Sequence, residues 1–326
     1  MESVTSPAPT IAVLVPCYNE AAAIGRVVAD FRAALPVARI FVYDNNSGDD
    51  TFRVAENAGA IVRREPLQGK GNVVRRMFAD IEADVYVLVD GDDTYHAASA
   101  PVLVRKLISE QLDMVNAARQ SDSAAAYRPG HRFGNVMLTA LVNFVFGKRT
   151  SDMLSGYRIF SRRFVKTFPA LSRGFEIETE LTVHALELGM PLAEVATPYK
   201  ERGASSVSKL STFKDGFRIL WLIGKLVKEE RPLQSFGIAA IVLALSAIVF
   251  AWPIFTTYMQ TGLVPRLPTA VLATGLTILA FLSLAIGLVL ETVTRGRREM
   301  KRLRYLELPA PDFAPDSVPL SAHERN

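Results

Sequence analysis

The chain has 326 residues, enough for one large domain plus a smaller appendage. Hydrophobic residues make up 49% of it and are placed unevenly, since the long uncharged stretches lie after Arg231. The net charge of +4 sits mostly beside those stretches and no nucleic-acid motif is present, so anionic lipid is the expected partner and nucleic acid is excluded; the single cysteine, Cys17, excludes an intramolecular disulfide and a cysteine metal cluster.

The opening residues are rich in Pro, Ser and Thr and lack the basic-then-apolar pattern of a signal peptide. Residues 11–15 then read as a buried strand stopped by Pro16, and Asn19 is placed to cap a helix over 20–35. A strand at 39–43, the turn-rich DNNSGDD, a helix from Thr51, a strand at 60–63, a helix over 72–81 and a strand at 85–89 come next. This alternation predicts an α/β fold with a mainly parallel sheet. Ligands of such sheets gather at the carboxyl ends of the strands, where Asn19, Asp44 and Asp90 stand.

Several stretches carry chemistry. VYVLVDGDDTYH (85–96) ends an apolar strand in Asp90, Asp92 and Asp93, hard oxygen ligands suited to Mg²⁺ or Mn²⁺ bound with substrate phosphates. Taken alone it is equally a solvated acidic turn with Asp93 capping the next helix. PCYNE (16–20) and DNNSGDDT (44–51) set Asn19, Glu20, Asp44 and Asn46 at neighbouring loop ends, able to meet a base and a ribose, although each residue is also an ordinary turn former or cap. QGKGNVVRRM (68–77) puts two glycines and Lys70 before a helix, where amides and a cation approach phosphate, or where a helix simply begins; it is neither a dinucleotide fingerprint nor a P-loop.

In this order PCYNE, DNNSGDDT and the strand ending in DGD resemble family 2 glycosyltransferases of the GT-A fold, whose pattern is P-x-YNE, D-D/N-x-S-x-D-x-T and D-x-D. The resemblance covers about residues 10–210. It implies a Rossmann-like nucleotide-sugar-binding domain. The donor would be held by Pro16, Tyr18, Asn19, Glu20, Asp44, Asn46, Lys70, Asp90 and Gly91, with Asp92 and Asp90 on the metal. Asn45 departs from the acid often found at its place. SDMLSGYR (151–158) is similar to the family's D-x-x-S-G-x-R, which implies that Asp152, with Asp90 and Arg158, serves catalysis; a surface helix cap is the other reading of Asp152. Glu176, Glu178 and Glu180 alternate with other residues as on a strand or helix with one solvated face, and the resemblance gives Glu176 or Glu178 a part in orienting the site's loops.

The acceptor is read from the segment after these acids. The Q-x-x-R-W of processive polysaccharide synthases is absent, and YKERGASSVSKL (199–210) is similar, with one residue more, to the R-x-x-G-x-S-K of dolichyl- and bactoprenyl-phosphate sugar transferases. That implies a polyprenyl (dolichyl or undecaprenyl) phosphate met by Arg202, Ser208 and Lys209. A second basic cluster, Arg119 with Arg128, His131 and Arg132, is assigned to the same phosphate. It precedes residues 133–147, an interfacial helix or a core helix. Transfer to a lipid or glycan hydroxyl is the alternative within enzymes; a non-catalytic scaffold and a transporter are rivals of other classes.

The runs 232–265 and 267–290 are uncharged and each supplies the ~20 residues needed to cross a bilayer. A link over 256–268, rich in proline if Pro253 is counted, suits a hairpin. Lys225, Lys228 and Arg231 precede the hairpin and six basic residues from Arg295 to Arg304 come after it, so both termini are expected in the cytoplasm. The expected organisation is a catalytic domain over 1–210, an amphipathic juxtamembrane helix over 211–231, two transmembrane helices within 232–293 and a basic tail over 294–326. Expected partners are a nucleotide sugar, the lipid phosphate, membrane lipids and, as an open option, a second copy of the chain.

Overall fold

β-Branched and aromatic residues alternate along β1 (Ile11–Cys17) and β2 (Arg39–Asp44), and both faces of these strands are buried. Ile11, Val13, Val15, Ile40 and Val42 point to one side, Ala12, Leu14, Phe41 and Tyr43 to the other. The computed structural model, which describes residues 8–120, 151–174, 176–200, 224, 228, 231–310 and 313, extends this pair into a seven-stranded sheet. The further strands are β3 (Ile61–Arg64), β4 (Val85–Leu88), β5 (Met114–Gln120), β6 (Arg158–Ser161) and β7 (Leu192–Pro198), in the order β3-β2-β1-β4-β6-β5-β7. Pairing is parallel except on either side of β6, which runs against β4 and β5. The predicted mainly parallel sheet is therefore present, with one reversed strand.

Helices α1 (Ile24–Ala34) and α4 (Ala100–Ser109) supply the core on the first face. On the second face lie α3 (Lys70–Asp80), α5 (Arg162–Thr167) and α6 (Ile177–Leu188), while α2 (Thr51–Asn57) lies between β2 and β3 in sequence. Two starts differ from expectation. Asn19 does not cap α1: the turn over residues 20–23 closes on the Glu20 carbonyl, and Asn19, at φ 52°, turns its Oδ1 to the Gly48 N–H at 2.7 Å. Asp93 caps no helix either; at φ 58° it pairs with Arg26 at 3.0 Å and faces Lys200 at 3.6 Å. The three glutamates of 176–180 begin α6, and Glu178 and Glu180 are buried rather than solvated because each is taken up by neighbouring donors.

The chain divides into two compact units, Met1–Ile219 with Lys301–Asn326, and Leu220–Met300. The second holds two long apolar helices, α7 (Pro232–Thr261) and the greater part of α8 (Leu267–Leu306). Both are long and apolar enough to cross a membrane, and only 6% of the most apolar window of α7 and 22% of that of α8 is buried within the chain. They meet along small residues. Ala273, Ala280, Gly287 and Thr294 recur every seventh position and are buried, the Ser283 hydroxyl donates to the Phe236 carbonyl at 3.0 Å, and a Cβ on Gly287 would stand 3.0 Å from that of Phe236.

The link is shorter than predicted, because α7 runs through Pro253 to Thr261. Proline inside a helix leaves the carbonyl four residues earlier without its N–H donor, a loss that apolar helices tolerate, and the Pro253 carbonyl also accepts the Thr256 and Thr257 hydroxyls. Beyond Glu291, helix-forming Arg, Lys, Glu, Met and Leu carry α8 on to Leu306, so the first part of the expected basic tail is helical. Residues from Lys301 pack within the first unit. Lys301 pairs with Glu187 at 2.7 Å and the Tyr305 hydroxyl donates to Asp113 at 2.7 Å. Residues 133–147 and most of 211–231 lie outside the described residues.

Candidate active site

The carboxyl ends of β1, β2, β4 and β5 and the loop entering β6 share one edge of the sheet. Three non-glycine residues there, Asn19, Asn46 and Asp93, have φ between 52° and 62°. Asn and Asp tolerate this left-handed region best, and it recurs at ligand sites. The β1 and β2 loops are laced together. The Asn19 N–H donates to Ser47 Oγ at 2.9 Å, the Glu20 N–H to Thr51 Oγ1 at 2.8 Å, the Ala21 N–H to Asp49 at 3.1 Å, and the Ser47 N–H to Asp44 at 3.2 Å. Burial pushes the Asp49 carboxyl up, but the donors from Thr51 and Ala21 outweigh it and hold it below its usual value. Asn46 donates to the Pro66 carbonyl at 2.7 Å, so Asn19 and Asn46 each commit one end of their amide to a neighbouring loop. Tyr18 is exposed at this edge, Pro16 is partly covered, and Glu20 and Asp44 are buried.

Asn45 is the joint of the assembly, a part that sequence reasoning missed. Its Nδ2 donates to the carbonyls of Glu65 and Leu67, and its Oδ1 accepts the Gly69 N–H at 2.6 Å. An aspartate in its place would lack the donor for both carbonyls.

The glycines of QGKG do not present amides to phosphate as expected. The Gly69 N–H is taken by Asn45 and the Gly71 N–H by the Arg173 carbonyl at 3.0 Å. A Cβ at either glycine would stand 2.2 Å from a backbone oxygen, of Arg173 or Ser172. These glycines admit close packing of the 172–173 backbone, and Gly69 at φ 128° also requires glycine. Lys70 does face the site, donating to Asp90 Oδ1 and Glu178 Oε1 at 2.5 Å each. Burial works against its charge, but the two carboxylates prevail and hold the ammonium well above its usual pKa. Burial pushes Glu178 up, with Lys70 opposing.

Asp92 is buried and accepts the Thr94 hydroxyl at 2.6 Å. Gly91 between the two acids lets the loop close on β1, since a Cβ there would meet Cys17 Sγ at 2.5 Å. Among the described residues no group of three or more His, Cys, Asp or Glu forms a metal cage. Two carboxylates at a strand tip fit a hard cation whose other positions go to substrate phosphate oxygens and water.

The loop entering β6 is next to Asp90. A Cβ on Gly156 would stand 2.3 Å from Asp90 Oδ2, and the Gly156 N–H donates to the Tyr95 hydroxyl at 2.7 Å. Asp152 caps no helix. Arg119, at the end of β5, grips it bidentately, Nε to Oδ2 and Nη2 to Oδ1 at 2.8 Å each, and adds its own N–H at 3.1 Å. The same guanidinium lies 5.6 Å from the Tyr199 ring centroid. Burial lowers the Arg119 pKa less than Tyr95 and Asp152 raise it, and the result is well above normal. The sequence gives Arg119 to the acceptor phosphate and Asp152 to catalysis; the structure joins them. Glu194 of β7, which the sequence reading does not single out, accepts the Ser151 N–H and hydroxyl and one amide proton of Asn116.

Arg158 stands apart from its predicted catalytic place. It is fully buried and donates to the carbonyls of Ser155 and Met153 at 3.0 and 2.6 Å and to Thr182 Oγ1 at 2.8 Å. Burial lowers its pKa, with Glu178 and Asp152 opposing. It fixes the 153–156 loop from beneath. Arg128, Arg132, Arg202, Ser208 and Lys209 lie outside the described residues.

With this geometry in hand, comparison with known proteins is specific. The family model described as "Glycosyl transferase family 2" matches residues 12–168. Glycosyltransferase AglJ of Haloferax volcanii is 35% identical over 233 residues, 70% of this chain and 75% of that protein. The chain belongs to glycosyltransferase family 2. The dolichyl-phosphate hexose transferase of the same organism is 30% identical over 221 residues, 68% of this chain and 95% of its own length. Among solved structures, Mycobacterium tuberculosis glucosyl-3-phosphoglycerate synthase, in complex with Mn²⁺, UDP and glucosyl-3-phosphoglycerate, superposes with a TM-score of 0.55 at 24% identity, covering 66% of this chain and 80% of that one. That match establishes a shared GT-A fold, and the family makes this protein an enzyme that transfers sugars.

Proposed function

We propose that this family 2 enzyme transfers a hexose from a UDP- or GDP-linked donor to the phosphate of a polyprenyl lipid, with inversion at the anomeric carbon. The observation that carries the reading is the meeting at one sheet edge of the Asp90–Gly91–Asp92 acids, the Lys70 ammonium and the Arg119–Asp152 pair. The kinship with a dolichyl-phosphate hexose transferase, and a fold shared with an enzyme holding Mn²⁺ and UDP, support it.

In this reading the β1 and β2 loops take the nucleoside, with Asp44 toward the base, and Asp92 with Asp90 hold Mg²⁺ or Mn²⁺. The cation supplies charge neutralisation for the departing nucleoside diphosphate. A phosphate monoester is already largely dianionic at neutral pH, its second pKa being about 6, so its oxygen attacks C1 with little help from a base. Asp152 orients the acceptor or accepts its remaining proton, and Arg119 stands ready beside it for the phosphate. Arg158 is a positioning residue for the loop that presents Asp152. Arg128, Arg132, Arg202, Ser208 and Lys209 complete the cationic set on the acceptor side.

The two apolar helices span the membrane as a hairpin, with the catalytic domain and both termini cytoplasmic by the positive-inside rule. Cysteine labelling of intact cells checks this. Gln260→Cys is expected to react from outside and Lys301→Cys to stay protected, against a low background because Cys17 is buried; the reverse pattern overturns the topology. Purified protein incubated with a panel of labelled UDP- and GDP-hexoses and either polyprenyl phosphate or the neutral polyprenol checks the chemistry. Transfer to the phosphate alone is expected, whereas equal use of the alcohol contradicts it.

A further inference from the structure

Lys70 has one ammonium and two carboxylates, and the two differ. The Glu178 side chain is 7% exposed and that of Asp90 27%, so an incoming group reaches Asp90 and not Glu178. Glu178 Oε2 is buried without a hydrogen-bond partner, which leaves a second seat for the ammonium on the glutamate. The backbone around Lys70 is anchored, since the amides of Gly69 and Gly71 are bonded to Asn45 and to the Arg173 carbonyl. Rearrangement here is therefore assigned to the Lys70 side chain.

Resting on the reading that Asp90 and Asp92 receive a divalent cation, we propose that Lys70 is the resident counter-ion of Asp90, displaced when the donor's cation arrives and retained by Glu178. An ammonium 2.5 Å from Asp90 Oδ1 and a divalent cation on the same carboxylate repel one another, the more so because the Lys70 side chain is buried, so one of them leaves. Lys70 has a flexible stem and a second carboxylate to go to. Without nucleotide the exchange trades the Asp90 contact for Glu178 Oε2 alone. With a nucleoside diphosphate present, the released ammonium gains phosphate oxygens. Metal and nucleotide then bind with positive coupling, and by linkage each strengthens the other equally. Glu178 is in this account a positioning residue that keeps the freed charge inside the site.

Mn²⁺ binding to the detergent-solubilised full chain, read from the electron paramagnetic resonance signal of free Mn²⁺ with and without UDP or GDP, tests the exchange. The variants are Lys70→Gln and the double variant Lys70→Met/Glu178→Gln, which leaves no buried carboxylate without its cation. Either one, if folded, is expected to bind Mn²⁺ at least about tenfold tighter than wild type in the absence of nucleotide, as loss of a charge-assisted competitor implies, and to lose most of the coupling to nucleotide. Unchanged or weaker nucleotide-free Mn²⁺ affinity in a folded variant overturns the proposal. If wild type binds no Mn²⁺ even with either nucleotide, the metal reading itself falls; if it binds Mn²⁺ with nucleotide and Lys70 makes no difference, only the exchange does.

Discussion

At the carboxyl edge of the sheet Lys70 sits between Asp90 and Glu178, and Arg119 grips Asp152. At the opposite edge, where β5 begins and β6 ends, Asp113 is fully buried and accepts from Ser161 Oγ at 2.6 Å, Arg163 Nε at 2.5 Å and the Tyr305 hydroxyl at 2.7 Å, with Arg163 stacked 4.7 Å over the Tyr305 ring. The residues are of the same kind, but the partnerships differ. Each donor to Asp113 is a fixed neighbour, which is how a buried charge is kept as structure. At the carboxyl edge Asp90, the most exposed of these acids, shares Lys70 of α3 with Glu178, and Asp152 is gripped by Arg119 of β5, while burial and neighbouring charge displace the pKa values of Lys70, Arg119 and Glu178, a pattern that gathers at functional sites. On the proposed reading the charges at the carboxyl edge serve the reaction, and Asp113 serves the fold.

Mutations should separate the two edges. The largest effect is expected for Asp92→Asn, at least about a hundredfold loss of transfer with little change in melting temperature, because charge stabilisation of the leaving group is lost and the core is untouched. A sugar-transfer assay beside circular dichroism checks it, and wild-type activity would remove Asp92 from the site. Asp113→Ala should do the converse. Stripping a buried carboxylate from Arg163 costs about 3–5 kcal/mol of stability, while the fraction that stays folded should turn over normally. A loss of turnover without a loss of stability would erase the distinction between the edges.

Tyr305→Phe is a gentler probe of the same edge. It removes one hydrogen bond to a carboxylate, about 1.5–3 kcal/mol, or several degrees in melting temperature, and leaves the other donors to Asp113 in place. The smallest effect is a pH slope. Burial pushes His184, between Phe164 and Phe168, down to about 3 from 6.5. Between these values the unfolded chain takes up a proton that the folded chain refuses. Stability contributed by His184 is therefore intact above pH 6.5 and declines below it, by about 1.4 kcal/mol at pH 5.5. His184→Asn should make the fall in melting temperature from pH 7.5 to 5.5 shallower; equal slopes would show that the ring takes a proton in place.

Much of the frame was legible because it follows from local rules. Alternating apolar runs marked β1 to β4, and acids and asparagines at their ends marked the edge where ligands gather. Pairings between residues far apart in sequence were not legible. Arg119 and Asp152 are separated by 33 positions, and Lys70 and Glu178 by 108, so only the antiparallel insertion of β6 and the packing of α6 reveal that each cation is already engaged. Arg158 looked functional because it closes the stretch similar to the family's D-x-x-S-G-x-R, yet carbonyl oxygens and a threonine satisfy it in full burial. Asn45 looked like a departure at the base-binding position, and it proves to tie the loop after β2 to the 65–69 segment through both ends of its amide.

The linkage in the product tests the central claim most directly. Polyprenyl phosphate, a ¹³C1-labelled UDP- or GDP-hexose that the enzyme accepts and Mn²⁺ should yield a lipid whose sugar C1 couples to ³¹P and whose anomeric signals report a β-linked phosphodiester from an α-linked donor. The account predicts that product, absent with Asp92→Asn. An α-linked phosphate, or a sugar joined to a hydroxyl carbon with no coupling to phosphorus, would contradict it.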